Sequence, residues 1–135
     1  MAKTLEMLEP GDVVIANLNP TLGDEKQKKR PCVVLEPGCT PLKLVIVLPI
    51  TENNGNRSEY IYVPIPATDS IKLSKPSSID CYQIRTLSME RLEMKNGVFT
   101  VLGRLSDKTM DQIKQRLVII LDICEKHVSW DLGKS

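Results

Sequence analysis

The hydrophobic pattern changes period once, near Ser106, and that change limits the fold more than any other feature of the chain. Before it, apolar residues come in short runs separated by turn signals. Gly11-Asp12 opens a run in which Val13 and Ile15, with Asn17, alternate with Val14, Ala16 and Leu18. Both sides are largely apolar, so a strand here has both faces covered. Asn19-Pro20-Thr21 stops it. Pro31 to Glu36 reads as a second strand, with Pro31 at its first residue, where a missing N–H is tolerated. After the turn Pro37 to Pro41 come a third strand, Leu42 to Ile50, and an exposed loop, Thr51 to Glu59, containing Asn53-Asn54-Gly55-Asn56. Further strands read over Tyr60 to Ile65, Ser77 to Thr86 and Val98 to Leu102. Then the period lengthens. Ser106 is a good N-cap, Asp107 complements the helix dipole, and Met110, Ile113, Leu117, Ile120, Leu121 and Cys124 form one stripe. The spacing predicts a mainly β fold, a small antiparallel barrel or strongly bent sheet, plus a C-terminal helix over 107–126 that closes the barrel or meets a partner.

Size and composition narrow what such a fold does. At 135 residues the chain suits one domain over 1–135, with the barrel over about 11–103 and a loose polar tail over 129–135. A formal charge of +1 excludes a polycationic surface, so any nucleic-acid site is a local patch. No secretory signal opens the sequence, and the longest apolar stretch, broken by Lys43 and Pro49, is too short to span a membrane. Cys32, Cys39, Cys81 and Cys124 form no CxxC, and with one histidine they make no zinc set. Reduced thiols in a cytoplasmic protein are expected, with most of them packed as small hydrophobes. Aromatic residues are only 4%, too few for an extended base-stacking platform.

Basic charge is concentrated in one place. The segment Leu22 to Arg30 carries Lys26, Lys28, Lys29 and Arg30. Taken with its neighbours, it resembles the PemK/MazF family of toxin endoribonucleases, the toxic halves of bacterial type II toxin–antitoxin pairs. Gly11-Asp12-Val13-Val14 and Leu18 to Glu25 match the family's first strand and its G-x-E loop. Arg30-Pro31-Cys32-Val33-Val34-Leu35 matches the start of the second strand, and Leu48-Pro49-Ile50-Thr51 the end of the third. Gln83-Ile84-Arg85-Thr86 and Gly103-Arg104-Leu105-Ser106 are similar to the motifs before the final helix. Each motif is weak alone; their order and spacing are specific.

The resemblance implies an SH3-like small antiparallel barrel, a homodimer, and sequence-specific cleavage of single-stranded RNA, mRNA above all. It implies a reaction without cofactor or metal, leaving a 2′,3′-cyclic phosphate and a 5′-hydroxyl. It also implies a cognate antitoxin with an acidic, disordered tail, DNA being reached only through that complex. The residues fit this chemistry. Without a metal, fixed positive charge must meet the charge that builds on the non-bridging oxygens. Arg30 presents a planar fork for two such oxygens, and Thr51 matches the second catalytic position, offering a hydroxyl. A guanidinium with a pKa above about 12 is a poor base, so Glu25 or solvent is expected to take the 2′ proton. Asp24, Lys26, Lys28 and Lys29 belong to an RNA-tracking loop, Gln83 can read a base edge, and Arg85 can hold a flanking phosphate.

Each assignment has a plainer alternative. Arg30 can be a solvated surface arginine, Thr51 a β-branched strand end, and Glu25 the partner of Lys28 or Lys29. Gln83 and Arg85 can serve structural hydrogen bonding, and His127 suits a helix C-terminus. One departure stands out. Tyr82 occupies a position that is acidic in some family branches. Asp80, on the same face of a regular strand, can substitute, or Tyr82 can stack on a base. Two other functions stay open: a gyrase-poisoning toxin of the same fold, for which Trp130 is the only pointer, and a degenerate binding module.

Overall fold

The structure, a computed structural model, describes residues 2–4, 7–25, 28–38, 43–52 and 58–123. Lys26, Cys39, Cys124, His127, Trp130 and the start of the expected third strand lie outside the described residues. Nine strands are described: β1 (Ala2–Lys3), β2 (Asp12–Asn17), β3 (Lys29–Glu36), β4 (Leu44–Glu52), β5 (Tyr62–Pro64), β6 (Ser77–Asp80), β7 (Arg85–Ser88), β8 (Met94–Lys95) and β9 (Val98–Arg104). One helix, α1 (Asp107–Ile120), follows. The pairing is antiparallel throughout, in the order β1-β9-β2-β3-β4-β6-β5, with β7 joined to β4 and β8 to β9. The sheet is strongly bent and barrel-like rather than fully closed, which is the mainly β architecture expected.

Strands β2, β3 and β4 serve two cores because their alternate residues point to opposite faces. Val14, Ala16, Cys32, Val34, Val45 and Val47 enter one cluster, with Leu87 and Phe99. Val13, Val33, Leu48 and Ile50 enter the other, with Ile79, Met110 and Ile113. Each such side chain contributes about 1.5–3 kcal/mol when fully buried. The expected two-sided burial of β2 holds for Val13, Val14 and Ala16, whereas Asn17 is exposed. Cys32 and Cys81 are buried, and burial pushes both thiols up to about 12.

One expected strand is two. Ser77 to Thr86 reads as continuous, yet Ser77–Asp80 and Arg85–Ser88 both pair with β4 and are separated by a turn. Ile50 faces Ile79 and Val47 faces Arg85, so Leu48 and Pro49 are opposed by the five residues 80–84. Ile79 must join the second core and Leu87 the first, although both are odd-numbered. An odd surplus of residues flips the facing of a strand. The surplus of three meets that requirement, and it coincides with Pro49, which has no N–H for a ladder bond.

Helix α1 begins as expected. Ser106 Oγ accepts the Thr109 N–H at 3.2 Å, and Met110 and Ile113 are buried in the second core. It ends earlier than the apolar stripe. Asp122 adopts φ 52°, its N–H donates to Ile119 O, and Ile123 N–H donates to Val118 O. That is a Schellman closure, so the backbone stops the helix at Ile120 and Leu121 is left half exposed. At the other end, Lys3 Nζ lies 3.0 Å from the buried Asp12 carboxylate and 3.2 Å from Glu9, which also meets Arg104 at 3.0 Å. Burial works against the Lys3 charge, but the bonds to Asp12 and Glu9 outweigh it and its pKa is raised.

Candidate active site

The start of β3 and the end of β4 create the first cleft. Cys32 faces Pro49 across these strands, and continuing that register by two residues brings Arg30 opposite Thr51. Arg30 Nη1 donates to Ile50 O at 3.4 Å, which lays the guanidinium along the end of β4. Arg30 and Thr51 line a cavity of about 380 Å³ with Glu52, Leu73, Lys75 and Ser77. Thr51 is largely buried and paired with Ser78, so its hydroxyl is carried on ladder backbone. Arg30 and Thr51 therefore meet in one cleft. Lys75 Nζ stands 3.5 Å from Glu52 Oε1 at the mouth. Neither Glu52 nor the Leu73–Ser77 wall is singled out by sequence reasoning, because no periodicity or motif marks them.

A second cavity, of about 410 Å³, is lined by Asp24, Glu25, Tyr82, Gln83, Ile84 and Arg85. Loops build it. The segment after β2 is closed at its base by Leu18 N–H to Lys28 O (3.0 Å) and Lys28 N–H to the Asn19 side-chain oxygen (3.0 Å). Arg85 Nη1 donates to Leu18 O at 2.9 Å, and Arg91 donates to Asn17 O and Asn19 O. Gln83 Nε2 donates to Asp24 O at 3.2 Å, tying the loop to the turn extruded between β6 and β7. Glu25 accepts the Leu22 N–H at 2.6 Å, and Lys29 pairs with Glu93 at 3.8 Å.

The sequence-derived residues thus fall into two groups. Arg30 and Thr51 share the first cleft, while Asp24, Glu25, Tyr82, Gln83 and Arg85 share the second. Lys28 and Lys29 are exposed at the return of the loop, and Lys26 lies outside the described residues. Asp80 and Tyr82 do not share a strand face, contrary to expectation. Asp80 is buried at the end of β6 and accepts the Tyr82 N–H at 3.1 Å, while Tyr82 is 66% exposed on the turn. Cys32 lies where the fields of both Arg30 and Arg85 reach it. Burial dominates there, and the two guanidinium groups only partly oppose its effect on the thiol. Among the described residues no three His, Cys, Asp or Glu side chains gather as a metal site, and no helix is long and apolar enough to cross a membrane.

A bent antiparallel sheet and a polar cleft lined by a strand-borne arginine and threonine define a small β protein with one C-terminal helix. Comparison with known proteins places it further. The family described as PemK-like, MazF-like toxin of type II toxin–antitoxin system matches residues 9–121. An endoribonuclease MazF of Staphylococcus saprophyticus is 34% identical over 119 residues, covering 87% of this chain and 93% of that protein. Among solved structures, MazF from Deinococcus radiodurans superposes with a TM-score of 0.68 at 21% identity, covering 86% of this chain and 97% of that one. A mycobacterial endoribonuclease in complex with its cognate antitoxin superposes at 0.63 with 16% identity, covering 87% and 97%. The chain belongs to the PemK-like, MazF-like family of type II toxins.

Proposed function

We propose that this toxin is an endoribonuclease that cleaves single-stranded RNA in the Arg30–Thr51 cleft. The observation that carries the reading is the meeting of Arg30 and Thr51 in one cavity at the ends of paired strands. In the reaction the 2′-oxygen attacks the adjacent phosphorus and the P–O5′ bond breaks. The products are a 2′,3′-cyclic phosphate and a 5′-hydroxyl that has gained a proton. Arg30 and the Thr51 hydroxyl donate to the non-bridging oxygens, where charge builds. Glu25 is the acceptor of the 2′ proton read from the sequence. Glu52 is the carboxylate that lines the cleft itself, and this favours it as the second candidate. Parallel pH–rate profiles of Glu25→Gln and Glu52→Gln separate the two, since only loss of the true acceptor removes the acidic limb.

The second cavity supports recognition. Gln83 and Tyr82 sit on an extruded turn beside the Asp24–Glu25 loop, where a splayed base can be met by an amide and an exposed ring. Lys28 and Lys29 add sequence-independent affinity. The protein works as a cytoplasmic homodimer restrained by a cognate antitoxin whose acidic tail competes with RNA for the basic loop. The test is incubation of a long defined single-stranded RNA with the protein in EDTA, mapping every new 5′ end. Cuts at one short motif bearing 5′-hydroxyl ends are expected. Absence of cuts by folded protein contradicts the enzyme reading.

A further inference from the structure

The chain between β5 and β6 is largely irregular, yet it is firmly tied, with Ile65, Ile71 and Leu73 packed against the second core. From Ile65 to Ser77 it forms a loop whose ends are joined by Ile65 N–H to Ser77 O at 3.0 Å. Its only regular element is a 3₁₀ turn, Ala67–Asp69. Asp69 Oδ2 accepts the Thr109 hydroxyl at 2.7 Å and the Ser106 N–H at 3.2 Å, fixing the loop to the start of α1. Lys72 N–H donates to Leu102 O at 2.9 Å. Ile71 lies so close over Gly103, which has φ 145°, that a Cβ there would come 2.9 Å from Ile71 Cδ1. Compact loops of this length with closed ends are frequently functional.

This loop has two working sides. Leu73, Ser74, Lys75 and Ser77 line the Arg30–Thr51 cleft, and the same four line a second hollow of about 440 Å³ behind it. The two spaces therefore share that wall. Their linings differ: the cleft presents Arg30, Thr51 and Glu52, whereas the hollow is floored by Ile65, Pro66, Ile71 and Pro76. Lys75 belongs to both and is exposed at the crest, paired with Glu52. An anion-facing cleft beside an apolar hollow, with a lysine between them, matches the alternation of phosphate and base along a single strand.

We propose that the hollow is a base subsite: with the scissile phosphate at Arg30 and Thr51, an unpaired base of a neighbouring nucleotide lies in the hollow, and Lys75 holds the phosphate that links them. The proposal rests on the ribonuclease reading above and adds the Ile65–Ser77 loop as a specificity element. Because the loop is anchored to β9 and α1 before RNA arrives, little ordering is needed on binding. Lys75 exchanges Glu52 for a phosphate oxygen, and the base leaves water for an apolar surface.

The experiment first confirms cleavage of the mapped RNA by the unmodified protein, then measures binding by the Arg30→Ala protein. The probes are single-stranded oligonucleotides spanning the cut site, each with one abasic nucleotide. One abasic position next to the scissile phosphate is expected to weaken binding about fivefold or more. In a Leu73→Ser background that penalty disappears, and in Leu73→Trp, which fills the hollow, the intact oligonucleotide binds as weakly as the abasic one. Lys75→Gln is expected to weaken all the oligonucleotides alike and to reduce the slope of log K against log salt by about 0.7. Thermal unfolding of each variant checks that it is folded. An abasic penalty that persists in Leu73→Ser, with undiminished binding by Leu73→Trp, overturns the base subsite. A salt slope unchanged in Lys75→Gln overturns the lysine's role. Failure of the unmodified protein to cleave removes the ribonuclease reading and this inference with it.

Discussion

The two clefts around β3 are made of different material. The Arg30–Thr51 cleft is set on strand ends, with Thr51 paired to Ser78 and Arg30 laid against Ile50 O. The Asp24–Arg85 cleft is set mainly on a loop and an extruded turn, with Arg85 at the start of β7, and is tied by single hydrogen bonds such as Gln83 to Asp24 O and Arg85 to Leu18 O. Strand ladders fix a side chain far more tightly than isolated bonds between loops, so the first cleft suits a transition state and the second a variable base. In the proposed function this difference in scaffold becomes a division of labour: rate is assigned to Arg30 and Thr51, and choice of base to the Asp24–Arg85 cleft together with the hollow behind the Ile65–Ser77 loop.

That division is easiest to break at Arg30. Arg30→Ala is expected to lower the cleavage rate about 10²–10³-fold, with cut sites and thermal stability unchanged. Thr51→Val keeps the shape but removes one donor to a charged oxygen, and a loss of about 10–100-fold in kcat is expected. Primer extension and a single-turnover time course read both.

Mutations on the loop side should act differently. Replacing Lys28 and Lys29 by Glu is expected to weaken RNA and antitoxin binding together, by roughly tenfold or more at low salt, since in the proposed function an acidic antitoxin tail competes with RNA for this loop. Titration of each ligand at two salt concentrations checks this. Equal antitoxin affinity with reduced RNA affinity contradicts the shared surface. Gln83→Ala should leave the total rate within about fivefold while broadening the cleaved motif, as expected when one base-edge contact of about 1 kcal/mol is removed.

The smallest effect is expected at Cys32. Cys32 lies between the fields of Arg30 and Arg85, but burial pushes its thiol up to about 12, so it is neutral at working pH and no nucleophile. Cys32→Ala should keep the cleavage rate. The pH dependence follows from the same shift. A thiol ionising near its usual 9.0 when unfolded and only near 12 when folded favours the fold fully below about pH 9. Cys32 and Cys81 therefore leave stability flat around neutrality, and their contribution is lost as pH rises from about 9 towards 12. Glu9 has the opposite sign: its bond to Lys3, then the nearby Arg104, lowers its pKa, so its contribution is present at neutral pH and lost on acidification. Chemical denaturation at a series of pH values tests both.

The sequence marked Arg30-Pro31 and Pro49-Ile50-Thr51 as strand ends, but it was the family motifs that singled out Arg30 and Thr51 as site residues. Their meeting in one cleft is set by a strand register that no local pattern reports. The members of the loop-borne cleft were likewise reached only through family motifs. The alternation gave no warning of the three surplus residues between β6 and β7, since Ile79 and Leu87 share parity and read as one face. That concealed the turn, and with it the separation of Asp80 from Tyr82. The helix end was hidden for a similar reason: apolar residues continue to Ile123, and the left-handed backbone at Asp122 closes the helix regardless. The Ile65–Ser77 loop is held by Asp69, Lys72 and Ile71 through contacts distant in sequence, which no local pattern reports.

The most direct test of the division of labour is a side-by-side map of cuts in one defined RNA by the unmodified protein, Arg30→Ala and Gln83→Ala. Arg30→Ala is predicted to cut the same sites at a rate lower by two orders of magnitude or more, and Gln83→Ala to cut additional sites at nearly full rate. A map in which Arg30→Ala changes the sites, or Gln83→Ala loses rate without changing them, contradicts the account.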